Sequence, residues 1–198
     1  MPPPIEVPQV ENLLDAALST FDALGYSATP VPAIAGRAGI AVGSVYRYFP
    51  GKEDLANALY RREKQRLADA LFTGLDVDAP AEAAFALIWE RLADFAVDHT
   101  EALCFLELHH HGAYLDDASR DLAASIDARI AGMILQWQQR GQIRDGDPLL
   151  LHVQVFGGFV AVLRQVRTGG QPVTRAVGMS TLEPAWGLLR PNPGGIHG

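Results

Sequence analysis

A single cysteine, Cys104, in a chain of 198 residues has no partner for an internal disulfide. That excludes the disulfide-stapled scaffolds of small secreted domains. Charged residues are also few, 20% against 48% hydrophobic, which excludes a disordered, charge-rich chain. The first residues, MPPPIEVPQV, carry neither a basic n-region nor an apolar h-region, so no secretory leader is expected. The longest apolar-rich runs, such as 153–163, fall short of a membrane span by this reading, and the expected compartment is the cytoplasm. Phosphate loops, nucleophile elbows, HExxH motifs and dinucleotide fingerprints are all missing. No catalytic residue, metal or cofactor is therefore expected.

Strand-period alternation is missing too, and helical periodicity takes its place. Val10, Leu13, Leu14, Ala17, Leu18, Phe21 and Leu24 recur at the spacing of one helix face, closed by Gly25. Short helices are expected over 31–38 and 42–49, separated by Gly39. Pro50-Gly51 breaks the chain before a long helix from Lys52 to about Phe72. Further helices are expected from Pro80, from Thr100 as N-cap to about Leu115, from Asp116-Asp117 to Arg140-Gly141, from Pro148, and from Pro172 to Arg190. The fold class is thus all-α, with about nine helices. Two domains are expected, 6–53 and 54–190, with flexible ends over 1–5 and 191–198.

Charge is unevenly distributed. Residues 31–66 hold seven Lys/Arg against three acids, whereas residues 67–198 hold nine against sixteen. A short basic island on an acidic body points to a polyanionic partner for the island alone. Within it, two short helices joined by a Gly-containing turn make a helix-turn-helix over about 30–49. Gly43 and Ser44 keep the start of the second helix small enough for close approach to a groove. Arg47 is placed to donate to a guanine edge or a phosphate, and the hydroxyls of Tyr46 and Tyr48 to phosphate oxygens. Lys52 opens the next helix, where free N–H groups favour an anion.

The stretch GYSATPVPAIAGRAGIAVGSVYRYFPGKEDLANAL resembles the DNA-binding domain of the tetracycline-repressor (TetR) family of bacterial regulators. The resemblance rests on Phe21, Gly25-Tyr26, Thr29, Ile34-Ala35, Ala38-Gly39, Tyr46, Tyr48-Phe49 and Lys52 to Leu55. It implies a DNA-contacting set of Thr29, Arg37, Val42, Gly43, Ser44, Tyr46, Arg47, Tyr48 and Lys52, with Ile34, Ala35, Ala38, Val45 and Phe49 as core. It also implies a homodimer on double-stranded, palindromic DNA, most simply a repressor released by a small, largely apolar effector. Three positions depart from the pattern. Ala41 stands where a Ser or Thr cap is usual, a loss of about 1 kcal/mol; Pro30 replaces a second threonine; and the chain starts without a basic arm. Fewer phosphate contacts predict a shallower salt dependence of DNA binding.

In the second half, Trp89, Leu92, Phe105, His109, His110, Met133, Trp137, Phe156 and Phe159 are the candidate effector-lining residues, with plain core packing the alternative for each. Gly157-Gly158, Val160, Leu163, Leu182 and Trp186 are the candidate dimer contacts, because glycines inside a helix cost about 1 kcal/mol each and call for a close neighbour. The run His109 to His111 invites a metal reading. On a helix, successive side chains point about 100° apart, so three in a row do not converge on one ion, and only Glu107 shares a face with His110 or His111. Two alternatives stay open: a TetR-fold protein that binds small molecules but not DNA, and a helical metal-binding or catalytic protein using His109–His111.

Overall fold

The computed structural model describes residues 7–76 and 78–191, and among them it contains ten helices and no strand. The expected flexible ends lie almost wholly outside these residues. The chain divides into two compact units.

The first unit holds residues up to Arg66 together with Glu101–Asp121. Helices α1 (Val7–Leu24), α2 (Val31–Ala38), α3 (Val42–Tyr48) and the first part of α4 (Lys52–Phe72) follow the expected bounds to within a residue or so. The glycines expected to end α1 and α2 do so with positive φ, +76° at Gly25 and +68° at Gly39. That region is open to glycine without steric cost. The amphipathic face of α1 supplies Leu13, Ala17 and Phe21, all fully buried with Ile34 and Ala35 of α2, Val45 of α3 and Leu55 and Leu59 of α4. Asn12 of α1 donates to the Ala38 carbonyl (2.9 Å), satisfying an acceptor at the end of α2 that has no N–H partner within the helix.

Residues 101–121, expected in the second domain, pack into this first unit. Helix α6 (Thr100–Leu108) stops seven residues before its expected end. The Thr100 hydroxyl does not cap it; it donates backward to the carbonyls of Ala96 (2.6 Å) and Val97. Residues 109–115 form turns instead of helix. Asn57 of α4 holds them: its amide donates to the Tyr114 carbonyl (2.8 Å) and its oxygen accepts from the Asp116 N–H (2.9 Å). Asp116 then caps α7 (Asp117–Gln139) by accepting from the Ser119 N–H (2.8 Å). Hydrogen bonds from Ser119, with Arg61 beside it, pull the Asp116 carboxyl down to a pKa of about 2.

The second unit holds Leu67–Thr100 and the residues from Leu122 onward. Helix α5 (Ala81–Asp98) buries Phe85, Ile88, Trp89, Leu92 and Phe95. Helix α8 (Pro148–Thr168) starts at Asp147, whose carboxylate accepts from the N–H groups of Leu149 and Leu150 (2.9 Å each). The single last helix expected from Pro172 is two pieces, α9 (Arg175–Met179) and α10 (Leu182–Leu189). The break falls where Thr181 turns inward. Its hydroxyl donates to the Gly178 carbonyl (2.7 Å) and accepts from the indole N–H of Trp89 (2.9 Å), a buried chain spanning α5, α9 and α10. Gly178 makes this approach possible: a Cβ there would sit 2.8 Å from the Cβ of Ala93.

Candidate nucleic-acid interface

The reader helix α3 is short because nothing caps its start and Pro50 follows its end. Ala41 has the extended conformation of an N-cap (φ −68°, ψ 144°) but offers no side-chain acceptor, as its residue type predicts. The helix is pinned by Val45, which is buried, while Val42, Gly43, Tyr46 and Arg47 stand on the exposed side and Ser44 is half-exposed. A Cβ at Gly43 would meet nothing within 4 Å. Tyr46 is 50% exposed. Arg37 is exposed at the end of α2. Six of the nine expected DNA-contacting residues are therefore exposed or half-exposed, five of them on α3.

Three are engaged elsewhere. Thr29 is 1% exposed, and its hydroxyl donates to the Gly25 carbonyl (2.7 Å). It closes the C-terminal end of α1 and has no hydroxyl hydrogen left for a phosphate. Lys52 donates to the carbonyls of Tyr26 (2.9 Å) and Thr29 (3.1 Å), and its ammonium lies 4.4 Å from the centre of the Tyr26 ring. Two of its three protons thus fix the turn before α2. Tyr48 is half-buried and donates to Oε1 of Gln9 (2.5 Å) while accepting from the Arg47 guanidinium (2.9 Å). Gln9, in the first turn of α1, carries no sequence signal that would have singled it out.

The basic island also divides. Arg61 pairs with Asp116 (2.9 Å), and Arg66 with Glu63 (3.0 Å). Arg62 meets Glu11 (2.9 Å), Asp15 (2.8 Å) and the fully buried Glu63 (2.6 Å). These cations are engaged with α1, with α4 itself and with residues 116–119, leaving Arg37 on α2 and Arg47 on α3 as exposed cations of the helix-turn-helix.

The candidate effector residues fall in both units. Phe105 is buried in the first, with the His109 ring 5.7 Å away, while His110 is exposed. The histidine that is held is His111, which the expected effector-lining set left out. Its Nε2 donates to the Phe105 carbonyl (2.7 Å), an acceptor only, so its Nδ1 accepts from the Tyr114 hydroxyl (2.5 Å). Burial drives the pKa values of His111 and His109 below the ordinary histidine value. These residues lie beyond α6, so the helical argument applied to the run does not describe it. Among the described residues no group of three or more His, Cys, Asp or Glu is placed to hold a metal ion.

In the second unit, Trp89, Leu92, Trp137 and Phe159 are buried, and Met133 and Phe156 are half-buried. The Trp89 ring stacks on Phe85 (4.9 Å) and meets Phe159 edge-on (5.9 Å). A small apolar crevice beside them is lined by Phe159, Val162, Leu163, Val166, Val173 and Val177. Of the candidate dimer contacts, Leu163 and Trp186 are buried within the chain itself and belong to its core. Val160 and Leu182 are half-buried. Gly157 and Gly158 are exposed, and a Cβ at either meets nothing within 4 Å. They lie on a face of α8 with Leu150 and Val153, each 63% exposed. Contrary to the sequence reading, α8 is also long and apolar enough to cross a membrane by length and composition alone.

Two family models match in sequence. Residues 13–59 match the N-terminal model described as bacterial regulatory proteins, tetR family, and residues 60–190 match a tetracyclin repressor-like C-terminal domain. The chain is 27% identical over 153 residues to the fatty acid metabolism regulator protein of Bacillus subtilis, covering 76% of this chain and 79% of that one. Over 57 residues it is 42% identical to the transcriptional repressor KstR of Rhodococcus jostii, covering 29% of this chain and 27% of that one. The crystal structure of the transcriptional regulator FadR from Bacillus subtilis in complex with stearoyl-CoA superposes with a TM-score of 0.70 at 22% identity, covering 88% of this chain and 96% of that one. The chain belongs to the TetR family of bacterial transcription regulators.

Proposed function

We propose that this regulator is a homodimeric, cytoplasmic repressor that reads a palindromic operator through α3 and leaves it when an effector with a long apolar portion binds. The observation that carries the DNA assignment is the open face of α3. Gly43 and Ser44 allow close approach, Arg47 and Tyr46 project, and Val45 anchors the helix from behind. A helix with that distribution has little reason to be exposed unless a groove receives it. The family model matched by residues 13–59 spans this helix.

The dimer follows from α8. Leu150, Val153, Gly157 and Gly158 share an exposed face of α8 with Gln154, mostly apolar and with a two-glycine notch, and a second copy laying the same face against it would cover both. Two-fold symmetry then sets the reader helices about 34 to 36 Å apart on DNA. An effector that favours a different spacing lowers operator affinity by its preference for that arrangement. Its apolar character is supported by the aliphatic crevice beside Phe159 and by the stearoyl-CoA held by the FadR of Bacillus subtilis.

The test is selection of binding sites from random duplex DNA by the purified chain, followed by mobility shift with the selected duplex. Inverted repeats and loss of binding by Arg47→Ala, with helix content retained, support the proposal. Selection of no sequence overturns its DNA-reading part. Addition of stearoyl-CoA then tests the effector class: release of the duplex supports it, and unchanged binding at saturating concentration refutes it.

A further inference from the structure

Tyr48 was expected to donate to a phosphate, but its single hydroxyl hydrogen is directed at Oε1 of Gln9. A phenol has one proton to give and lone pairs to receive. With the proton held by Gln9, the oxygen is presented to the Arg47 guanidinium, which donates to it at 2.9 Å and lies 4.9 Å from the ring centre. Gln9 belongs to α1 and Tyr48 to α3, 39 residues on, so this chain of contacts ties an exposed side chain of the reader helix to a separate element. Arginine loses rotamer entropy when it is fixed, and part of that loss has been met before DNA arrives.

We infer that Gln9 and Tyr48 are positioning residues that set which base Arg47 selects, acting through the guanidinium and not through the phosphate backbone. The inference rests on the reading of α3 as the DNA reader and goes beyond it by assigning part of the sequence selectivity to a residue of α1. Gln9 suits the role because its carbonyl oxygen accepts without bringing a charge that would compete for Arg47 or repel DNA. A glutamate there would add an acceptor strong enough to hold the guanidinium back.

A double-mutant cycle on the duplex selected by the wild-type chain tests this. Gln9→Met preserves length and removes the acceptor, so the Tyr48 hydroxyl is free to turn. It is expected to weaken binding of the selected duplex roughly fivefold to tenfold, the scale of one neutral hydrogen bond. It is also expected to broaden base preference at the Arg47 position in a repeated site selection. In an Arg47→Ala background, Gln9→Met should change affinity by less than about twofold, because the group it acts through is gone. Tyr48→Phe should behave in the same way as Gln9→Met.

An equal loss from Gln9→Met in both backgrounds would overturn the inference and make Gln9 a structural contact of α1. So would unchanged affinity and base preference in Gln9→Met alone. Failure of Arg47→Ala to weaken binding is a separate result, and it removes the assignment of α3 itself. Thermal melting of each variant checks that the fold is kept. If Gln9→Met melts early, Gln9→Asn, which keeps the amide but shortens its reach, replaces it in the same cycle with the same expected outcomes.

Discussion

Three glycines of the second unit separate core packing from a surface waiting for a partner. A methyl group at Gly178 would fall 2.8 Å from the Ala93 Cβ, 3.1 Å from its Cα and 3.4 Å from the Phe159 ring. Ordinary carbon contacts lie at about 3.5 to 4.0 Å, so α9 would have to move off α5. Overpacking of this kind costs roughly 1–3 kcal/mol, and at this chain length the melting temperature should fall by about 3 to 10 °C. A methyl group at Gly157 or Gly158 would meet nothing within 4 Å beyond its own helix backbone. In a lone protomer, Gly→Ala at either should stabilise α8 by up to about 1 kcal/mol from helix propensity alone. In the proposed dimer the same methyl would hold two copies of α8 apart. The measurement is melting of each variant together with sedimentation across a dilution series. Gly178→Ala should melt early with an unchanged dimer dissociation constant. Gly158→Ala should dissociate at concentrations where the wild type stays dimeric. A Gly158→Ala variant that is both more stable and equally dimeric would refute the placement of the interface, and an undisturbed Gly178→Ala would refute the packing argument.

Three further outcomes are expected. Ala41→Ser supplies the acceptor that α3 lacks, in a residue already in N-cap conformation, and should stabilise the first unit by about 1 kcal/mol in urea unfolding. Lys52→Met breaks two hydrogen bonds to the carbonyls of Tyr26 and Thr29; it should destabilise by about 1–3 kcal/mol, with amide exchange rising first at 26–31. His111 is held neutral by burial, with its pKa below the ordinary value. The unfolded chain therefore binds the proton more readily, and stability should fall as pH drops through about 6.5 toward the folded-state value. His111→Gln should flatten that slope in melts from pH 7.5 to 5, and an unchanged slope would show that His111 is not the group responsible.

The DNA-binding half was largely legible in the sequence because its boundaries are written in local chemistry. Gly25 and Gly39 end helices through a backbone conformation that residue type dictates, and Pro50-Gly51 cannot continue one. The single buried face of α1 follows from period alone. What stayed hidden was decided by partners far away in sequence. Nothing local ends α6 at Leu108; the pull comes from Asn57 of α4 on Tyr114 and Asp116. The break at residues 180–181 does have a local mark, Pro184 in the first turn of α10, which has no N–H to give to residue 180; the bond to Thr181 from Trp89, 92 residues away, is what the local sequence does not show.

The same distinction governs the candidate interface. Residue type said correctly that Thr29, Tyr48 and Lys52 bear hydrogens that a phosphate could accept, but it could not say where those hydrogens go. Each goes to an acceptor within the first unit: the Gly25 carbonyl, the Gln9 amide oxygen, and the carbonyls of Tyr26 and Thr29. The basic island likewise counts seven cations in sequence, yet five of them sit on α4, and four of those five are matched by Glu11, Asp15, Glu63, Glu107 and Asp116. The charge that favours DNA is therefore smaller than the composition suggests and is concentrated at Arg37 and Arg47. A regulator built this way should draw less of its affinity from counterion release and more from the fit of α3 to base edges. The measurement is the slope of log affinity against log salt, which should correspond to few phosphate contacts per half-site and change little in Lys52→Met. A steep slope that Lys52→Met reduces by about one would show that Lys52 leaves its carbonyl partners to meet a phosphate.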